Sequence, residues 1–426
     1  NSAKSSTVTL AKHWGSSSVS GDKADLTVTD TTTATSNSDG SSTAPAAGTM
    51  SSVTVYPGDI VTISETFTAT TGSNFANYTA TATCTGLSPT TVTLGVTGNT
   101  ASGSFTVPTT TAPGTTLSCT ITNARNQVNV VLQKTWGHGA KNDSAALSIN
   151  GKSTGAGSAT ATVPSDNFSG TSTQTASLLV DAGSHVDLAE TLGAGNLGGY
   201  TVSDFTCTGA SITWTSGPTA SFTAPAGGTV TCTVTNDRTH TTLKLQKSWV
   251  NGANGDSTTL HATGNDGIDK TATDTVGAAS GTVTVNVYSG ETVPLSEVMN
   301  GQNRGTYTPS LGCTAGTVSG AAATSGSVKV PTDLSGVSSP IVCTYTNTRT
   351  SAVMHLAKTW QNGADGDTAN LSATSNGQSG HGSLTSTVPS DSYNGPGTDN
   401  PAGGVNIPIY SGDTMTLTEL LGTNTG

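Results

Sequence analysis

The feature that most constrains this 426-residue chain is a short alternating segment that occurs four times. Each copy has the pattern Leu-x-Lys-x-Trp, and the four lysines are Lys12, Lys134, Lys247 and Lys358. Alternate side chains of an extended strand share a face, so each lysine lies between a leucine and a tryptophan. If that face is the core, the lysine is buried, and a buried ammonium is costly unless it is paired or loses its charge. The pattern therefore predicts a β-strand with a lysine on its inner face.

The spacing of the four segments divides the chain into repeats of domain size. Successive lysines are 122, 113 and 111 residues apart, which is a common length for a domain. We expect three complete repeats and a partial fourth, with the ranges 1–125, 126–238, 239–349 and 350–426. Charged residues make up only 10% of the chain and aromatic residues 4%, whereas β-branched residues abound. This composition predicts an all-β fold.

Charge and motifs exclude several classes of function. A net charge of −11 with only 15 basic residues speaks against nucleic acid or an anionic membrane surface as a partner. No apolar run is long enough to span a bilayer. The sequence has no Gly-x-Ser-x-Gly elbow and no glycine-rich phosphate loop, and its histidines show no metal-ligand spacing. We expect neither a cofactor nor an enzyme active site.

The six cysteines fall as two in each complete repeat and none in the fourth. The pairs are Cys84 and Cys119, Cys207 and Cys232, and Cys313 and Cys343. Local pairs of this kind predict one disulfide in each domain and an oxidising compartment. Free core thiols and a metal site are the alternatives, but the chain has no CxxC motif and no cysteine–histidine cluster.

A second strand carries an acidic residue where a core residue is expected. In the first repeat Val61, Ile63, Glu65 and Phe67 alternate with polar residues. The corresponding glutamates of the other repeats are Glu190, Glu297 and Glu419. A solvated glutamate belongs on the opposite face of a half-buried strand. We therefore predict that each glutamate occupies the apolar face.

The last strand of each complete repeat adds a third polar group. On this strand a cysteine, an apolar residue and an asparagine share one face, and the asparagines are Asn123, Asn236 and Asn347. The fourth copy reaches Gly426 without such a strand. We expect either that the natural protein continues beyond this point or that another molecule adds the strand at the open sheet edge.

An amine, a carboxyl and a carboxamide on inward faces can react with one another. Burial favours the neutral, nucleophilic form of the amine and the protonated form of the carboxyl. The amine can then attack the carboxamide and expel ammonia, while the carboxyl moves protons and the fold supplies proximity. The alternative is a hydrogen-bonded trio with no covalent bond.

These repeats resemble the CnaB-type domains of bacterial surface adhesins and pilins, which have a prealbumin-like β-sandwich fold. The resemblance rests on the Lys-x-Trp strand, the inward glutamate and the closing Thr-Asn-x-Arg segment. It implies a tandem array of immunoglobulin-like or prealbumin-like sandwiches, three complete and one partial. It also implies isopeptide bonds promoted by Glu65, Glu190 and Glu297, which join Lys12 to Asn123, Lys134 to Asn236 and Lys247 to Asn347. Lys358 and Glu419 would await an asparagine outside this chain.

The function expected from these features is mechanical. We expect an extracellular, cell-surface protein that forms part of a stalk, fibre or sheath, with copies of itself or a surface anchor as partners. One alternative is an adhesin whose variable loops bind a host or surface ligand. Another is a set of accessory modules from a larger secreted enzyme.

Overall fold

The computed structural model describes residues 4–70, 73–151, 157–265 and 267–422. The chain forms two compact units. Unit 1 consists of Asn1–Asn196 and Thr201–Asp237, and unit 2 of Leu197–Tyr200 and Arg238–Gly426. The described residues form strands connected by turns, with one 3₁₀ helix, Phe75–Asn77. The expectation of an all-β fold is confirmed.

The first sandwich lies in unit 1 and has ten strands. They are β1 (Ser6–Trp14), β2 (Lys23–Asp30), β3 (Thr35–Thr43), β4 (Ser51–Val55), β5 (Ile60–Thr68), β6 (Tyr78–Cys84), β7 (Thr91–Val92), β8 (Gly95–Thr97), β9 (Thr100–Thr106) and β10 (Thr116–Arg125). One sheet has the order β4-β1-β10-β6-β7, and the other has the order β3-β2-β5-β9-β8.

The second sandwich repeats this arrangement with nine strands. They are β11 (Gln127–Gly139), β12 (Ser144–Gly151), β13 (Gly157–Thr162), β14 (Phe168–Thr171), β15 (Ala176–Asp181), β16 (His185–Leu192), β17 (Tyr200–Thr208), β18 (Thr219–Thr223) and β19 (Gly228–Arg238). One sheet has the order β14-β11-β19-β17, with β15 also paired to β11, and the other has the order β13-β12-β16-β18.

The third sandwich lies in unit 2 and again has nine strands. They are β20 (His240–Val250), β21 (Ser257–Thr263), β22 (Asp269–Thr275), β23 (Thr282–Tyr288), β24 (Thr292–Met299), β25 (Tyr307–Cys313), β26 (Thr317–Ser319), β27 (Ser325–Lys329) and β28 (Ile341–Arg349). Its sheets have the orders β23-β20-β28-β25 and β22-β21-β24-β27-β26.

The fourth repeat has eight strands in the described residues. They are β29 (Ser351–Leu356), β30 (Thr359–Gly363), β31 (Thr368–Ser375), β32 (Gly382–Thr387), β33 (Tyr393–Pro396), β34 (Thr398–Asn400), β35 (Val405–Tyr410) and β36 (Met415–Gly422). β34-β32-β31-β36 form one sheet, while β29 pairs with β35 and β30 with β33.

Alternation of side chains creates the core of each complete sandwich. On β1 the inward residues Val8, Leu10, Lys12 and Trp14 are all buried, and the residues between them are more accessible. The glutamate-bearing strand β5 shows the same period. Because the side-chain period of a strand is two, the sequence pattern fixes which residues face the opposite sheet.

The same two sheets occur in each complete sandwich. The lysine strand and the asparagine strand are parallel neighbours, in the pairs β1 with β10, β11 with β19 and β20 with β28. We call the sheet that contains them the lysine sheet. The glutamate lies on β5, β16 or β24 in the facing sheet, which we call the glutamate sheet. Lysine and asparagine therefore approach the glutamate across the core.

The fourth repeat differs from the sequence-based expectation. Lys358 lies between β29 and β30 rather than within a strand, and the expected inward residues Leu417, Glu419 and Leu421 are exposed. The prediction that every copy buries its glutamate is wrong for Glu419. Within the described residues of this repeat no strand takes the place of β10, so the inner face of β36 is only partly covered.

Candidate functional site

The register of the lysine sheet brings each lysine close to an asparagine. Trp14 lies opposite Asn123, and Lys12 lies two positions earlier opposite Ile121. The third sandwich has the same offset, with Trp249 opposite Asn347. Residues two apart share a face, so the lysine and asparagine side chains of neighbouring strands both point into the core.

The glutamate meets the lysine from the other sheet. The distance from lysine Nζ to the nearer glutamate oxygen is 2.6 Å for Lys12–Glu65, 3.4 Å for Lys134–Glu190 and 2.7 Å for Lys247–Glu297. In these three pairs the side chains are at most 1% exposed. The structure therefore places three ion pairs inside sandwich cores, where a charge without a partner would be very costly.

Burial changes the protonation of the lysines. Desolvation lowers the pKa of Lys12 and of Lys134 to about 8, although the nearby glutamate charge partly opposes the shift. Desolvation also lowers the pKa of Lys247, against the hydrogen bond and charge of Glu297. A lowered pKa makes the neutral amine, which is the nucleophile, accessible near neutral pH.

The glutamate also contacts the asparagine in the second and third sandwiches. Asn236 Nδ2 donates a hydrogen bond to Glu190 Oε1. Asn347 Nδ2 donates to Glu297 Oε2 at 3.3 Å. In these two sites one carboxylate therefore bridges the lysine amine and the amide nitrogen.

The asparagine carbonyls are poorly satisfied in all three sites. The Oδ1 atoms of Asn123, Asn236 and Asn347 are buried and accept no hydrogen bond. Buried polar atoms without partners are rare in stable proteins, because each forfeits its hydration. A carbonyl in this state could accept a proton or hydrogen bond from a protonated glutamate.

The tryptophan of each lysine strand covers the amine. Lysine Nζ lies 4.7 Å from the ring centroid of Trp14 in the first site and 4.4 Å from that of Trp136 in the second. The Trp14 Nε1 atom donates a hydrogen bond to Ser42 Oγ, which fixes the indole. The sequence pattern places each tryptophan on the same face as its lysine, and the structure shows that the ring and the amine form a cation–π contact.

The fourth lysine–glutamate pair forms without a third member. Lys358 Nζ lies 2.6 Å from Glu419 Oε1, with side chains 18% and 40% exposed. No asparagine among the described residues of this repeat completes the set with hydrogen bonds to Glu419 or Lys358. This site is an accessible ion pair rather than an enclosed one.

The six cysteines form three disulfides. The bonds are Cys84–Cys119, Cys207–Cys232 and Cys313–Cys343. In the first sandwich Cys84 and Cys119 are direct partners across β6 and β10, and Cys119 is on the same strand as Asn123. The asparagine strand therefore has a covalent bond on the side away from β1. Among the described residues no group of three His, Cys, Asp or Glu side chains could hold a metal ion.

The sequence reading missed a buried aspartate–tyrosine contact. Asp22 follows a glycine in the turn after β1, and its carboxylate is buried and accepts hydrogen bonds from Thr70, Ser73 and the Tyr78 hydroxyl. In the third sandwich Asp256 accepts from the Tyr307 hydroxyl at 2.7 Å. Burial, and then the contact with Asp256, raises the pKa of Tyr307 to about 12. The signal available in the sequence was the joint recurrence of a turn aspartate and a tyrosine before the first cysteine.

The arginine that ends each asparagine strand binds a turn carbonyl further along the chain. In unit 1 the Nε atom of Arg125 donates to Ala182 O at 2.7 Å. In unit 2 the Nε atom of Arg349 donates to Ser411 O at 2.8 Å, and its Nη2 atom lies 2.7 Å from Asp413. These arginines connect the end of one repeat to a hairpin turn of the next.

Fold and site together define a class, that of prealbumin-like β-sandwich repeats. A family model described as a prealbumin-like fold domain matches the chain three times, over residues 7–125, 129–238 and 242–349. The chain therefore belongs to the prealbumin-like fold domain family, and the expectation of three such repeats is confirmed. A comparison with curated protein sequences gives no match.

Comparison with solved structures gives matches to proteins of several bacteria. The Bacillus anthracis TIE protein is 9% identical over 96% of this chain and 68% of its own, with a TM-score of 0.38. The pilus adhesin SpaC from Lactobacillus rhamnosus GG is 14% identical over 83% of this chain and 44% of its own, with a TM-score of 0.28. An adhesin from Mobiluncus mulieris, described as containing disulfide, isopeptide and ester cross-links, is 10% identical over 55% of this chain and 99% of its own, with a TM-score of 0.24.

None of the helices in the described part of the chain has the length and apolar character needed to cross a membrane.

Proposed function

We propose that this chain is an extracellular structural protein of a bacterial surface whose three complete repeats each form a Lys–Asn isopeptide bond. The bonds join Lys12 to Asn123, Lys134 to Asn236 and Lys247 to Asn347, with Glu65, Glu190 and Glu297 as the promoting groups. The reaction occurs once in each repeat and needs no cofactor.

The observation that carries the proposal is the bridging carboxylate. Glu297 Oε2 lies 2.7 Å from Lys247 Nζ and 3.3 Å from Asn347 Nδ2. Such a carboxyl can take a proton from the amine and give it to the departing nitrogen. Both transfers occur over hydrogen-bond distances, as general acid–base chemistry requires.

The chemical step balances without any added reagent. The bond from Lys247 Nζ to Asn347 Cγ forms, and the bond from Cγ to Nδ2 breaks. The amine loses one proton, Nδ2 gains it through Glu297, and ammonia leaves. The fold holds the reacting groups together, which replaces the entropy loss of a bimolecular encounter.

The product is more compatible with a dry core than the trio of separate groups. An ammonium and a carboxylate are costly to desolvate even when they are paired. After the reaction the site contains a neutral amide and a neutral carboxyl, which can donate to the amide oxygen. The buried Oδ1 atoms that accept no hydrogen bond are consistent with this outcome.

The surface role rests on the disulfides and on the position of the proposed bonds. One disulfide in each complete repeat is typical of proteins from oxidising compartments. Each isopeptide bond would join the first strand of a sandwich to its last, and these are the strands that tension on the termini separates first. A stalk, fibre or sheath subunit, with copies of itself or a cell-surface anchor as partners, would use such bonds to resist extension.

Intact mass under reducing, denaturing conditions tests the cross-links. We expect the chain to be lighter than its sequence by three molecules of ammonia. Glu297→Ala should restore one of them, because repeat three then lacks its proton carrier. Lys247→Met removes the nucleophile with an apolar side chain of similar length and should have the same effect on the mass.

A matched control uses the neighbouring lysine on β20. Lys244 points away from the core, since it lies three residues before Lys247 on the opposite face of the strand. Lys244→Met should keep all three ammonia losses. An unaltered mass in the parent chain would reject the isopeptide bonds and leave only the sandwich fold.

A further inference from the structure

We propose that the disulfide of each complete repeat positions the asparagine strand for isopeptide formation, so that Cys84–Cys119, Cys207–Cys232 and Cys313–Cys343 are positioning residues for the cross-link. This inference rests on the proposed function. It assigns to the cysteines a role in the reaction itself rather than a second, independent reinforcement of the fold.

The first observation is a constant offset along the asparagine strand. The second cysteine of each pair precedes the asparagine by four residues on the same strand, and both side chains face inward. This spacing is found in all three sites, although the first cysteine of the pair lies 35, 25 or 30 residues before the second. The loop length varies, and the distance from cysteine to asparagine does not.

The second observation is that the disulfide joins residues in direct register. Cys84 lies opposite Cys119, and Cys313 lies opposite Cys343. A slip of one residue would turn the asparagine to the outer face of the sheet. A slip of two residues would keep it inside but move it about 7 Å along the strand, away from the lysine. The disulfide permits neither displacement.

The third observation is that the partner strand is itself anchored to the opposite sheet. β6 begins at Tyr78, whose hydroxyl donates to the buried carboxylate of Asp22 just before β2. β25 begins at Tyr307, which makes the same contact with Asp256. The register is thus fixed from the glutamate sheet to β6 by the aspartate, and from β6 to β10 by the disulfide.

The disulfide has little mechanical use once the isopeptide bond exists. Both cysteines of the first repeat lie between Lys12 and Asn123 in the sequence, and the other two pairs are enclosed in the same way. Tension would pass from the lysine directly to the asparagine, so the enclosed segment would carry no load. A function in placing the carboxamide before the reaction explains the position of the disulfide better than tensile strength does.

The experiment follows bond formation in the full chain from an unreacted state. Chain recovered unfolded and reduced from inclusion bodies is refolded in an oxidising buffer, and samples are quenched in acid denaturant. Digestion and mass spectrometry then quantify the Lys–Asn linked peptide of each repeat. The variant carries Cys313→Ala together with Cys343→Val, and repeats one and two of the same molecules serve as internal standards.

We expect the variant to form the Lys247–Asn347 bond at least about tenfold more slowly than the parent, while the other two bonds keep their rates. Hydrogen exchange of the β28 amides establishes that repeat three is folded during the measurement. Refolding the parent chain in reductant should slow all three bonds, and later oxidation should restore their rates. This second arm needs no substitution and remains informative if the variant folds poorly.

A destabilised control separates positioning from general stability. Leu311→Ala removes a buried side chain from β25 but keeps both cysteines. We expect its folded molecules to form the bond at the parent rate. Equal slowing by Leu311→Ala, or a parent rate in the cysteine variant, would overturn the positioning role and leave the isopeptide intact. Absence of all three bonds in the oxidised parent would overturn the proposed function as well.

Discussion

At the scale of single residues, the proposed reaction depends on where the proton of the lysine–glutamate pair lies. Desolvation lowers the pKa of Lys12 and Lys134 to about 8, yet each amine lies against a carboxylate. Below that pH the pair holds one exchangeable proton. The ion pair and the neutral pair differ only in which partner carries it, and the neutral pair is the reactive form.

This proton count predicts an unusual pH dependence for bond formation. In repeats one and two the rate of bond formation should be constant through neutral pH. While the pair retains its proton, the fraction of pairs with an uncharged amine and an uncharged carboxyl does not change with pH. Above about 8 the pair loses this proton, so the carboxyl can no longer donate to the asparagine carbonyl while the amine attacks, and the rate should fall about tenfold per pH unit. The rate of bond formation is measured by refolding unreacted chain in buffers from about pH 6 to about pH 9. Mass spectrometry then quantifies the linked peptides.

A rate of bond formation that rises with pH would contradict this prediction. A rate that climbs as the pH passes the lysine pKa would show that the free amine alone limits the reaction. Glu65 and Glu190 would then have no role as proton donors to the asparagine carbonyl.

At the scale of elements, the turn after each lysine strand also fixes the start of another strand. Asp22 accepts hydrogen bonds from the Thr70 amide, the Thr70 and Ser73 hydroxyls and Tyr78. The Tyr78 hydroxyl in turn accepts from the Val19 amide at 2.8 Å. The carboxylate thus joins the β1–β2 turn to the segment before β6, which is the neighbour of the asparagine strand.

Asp22→Ala should therefore destabilise the first sandwich well beyond an ordinary turn substitution. We expect the free energy of unfolding to fall by about 3 kcal/mol, because buried donors including the Tyr78 hydroxyl lose their acceptor. Hydrogen exchange of β1 and β10 amides measures the change in this repeat alone. Asp25→Ala, at an exposed position of β2, is the matched control and should change stability by less than about 0.5 kcal/mol. Equal effects of the two substitutions would contradict the structural role of the contact.

At the scale of the whole molecule, the proposed bonds determine which parts of the chain can extend. With its isopeptide in place a repeat transmits tension from lysine to asparagine and cannot unravel. With only its disulfide, everything outside the cysteine loop can be pulled out. Without either bond, the whole repeat can be pulled out.

Single-molecule extension of Glu297→Ala should show this hierarchy. Repeat three spans residues 242–349, and its disulfide encloses a separation of 30 residues. The unfolded repeat should have an extended length of roughly 270 Å with the disulfide intact and roughly 380 Å after reduction, at about 3.5 Å per residue, and each step should equal that length less the end-to-end distance of the folded repeat. The parent chain should give no such step from its three complete repeats. A step of this size in the parent would show that the first and last strands are not joined.

The sequence alone was sufficient for the fold class and for much of the site. The period-two burial of β1, β5 and β10 is visible in the residues themselves, because a strand has only two faces. An inward lysine, glutamate and asparagine could be chosen on that basis, and the buried ion pairs of the three complete sandwiches agree with the choice.

The contacts between strands distant in sequence required the tertiary structure. Which strands are neighbours, and in which register, depends on pairing across more than a hundred residues, and no local pattern encodes it. For that reason the tryptophan over each amine, the Asp22–Tyr78 contact and the direct alignment of Cys84 with Cys119 emerged only from the fold. The exposure of Glu419 could not be predicted from its own strand for the same reason. That strand alternates as expected, but burial also requires a second surface that covers it.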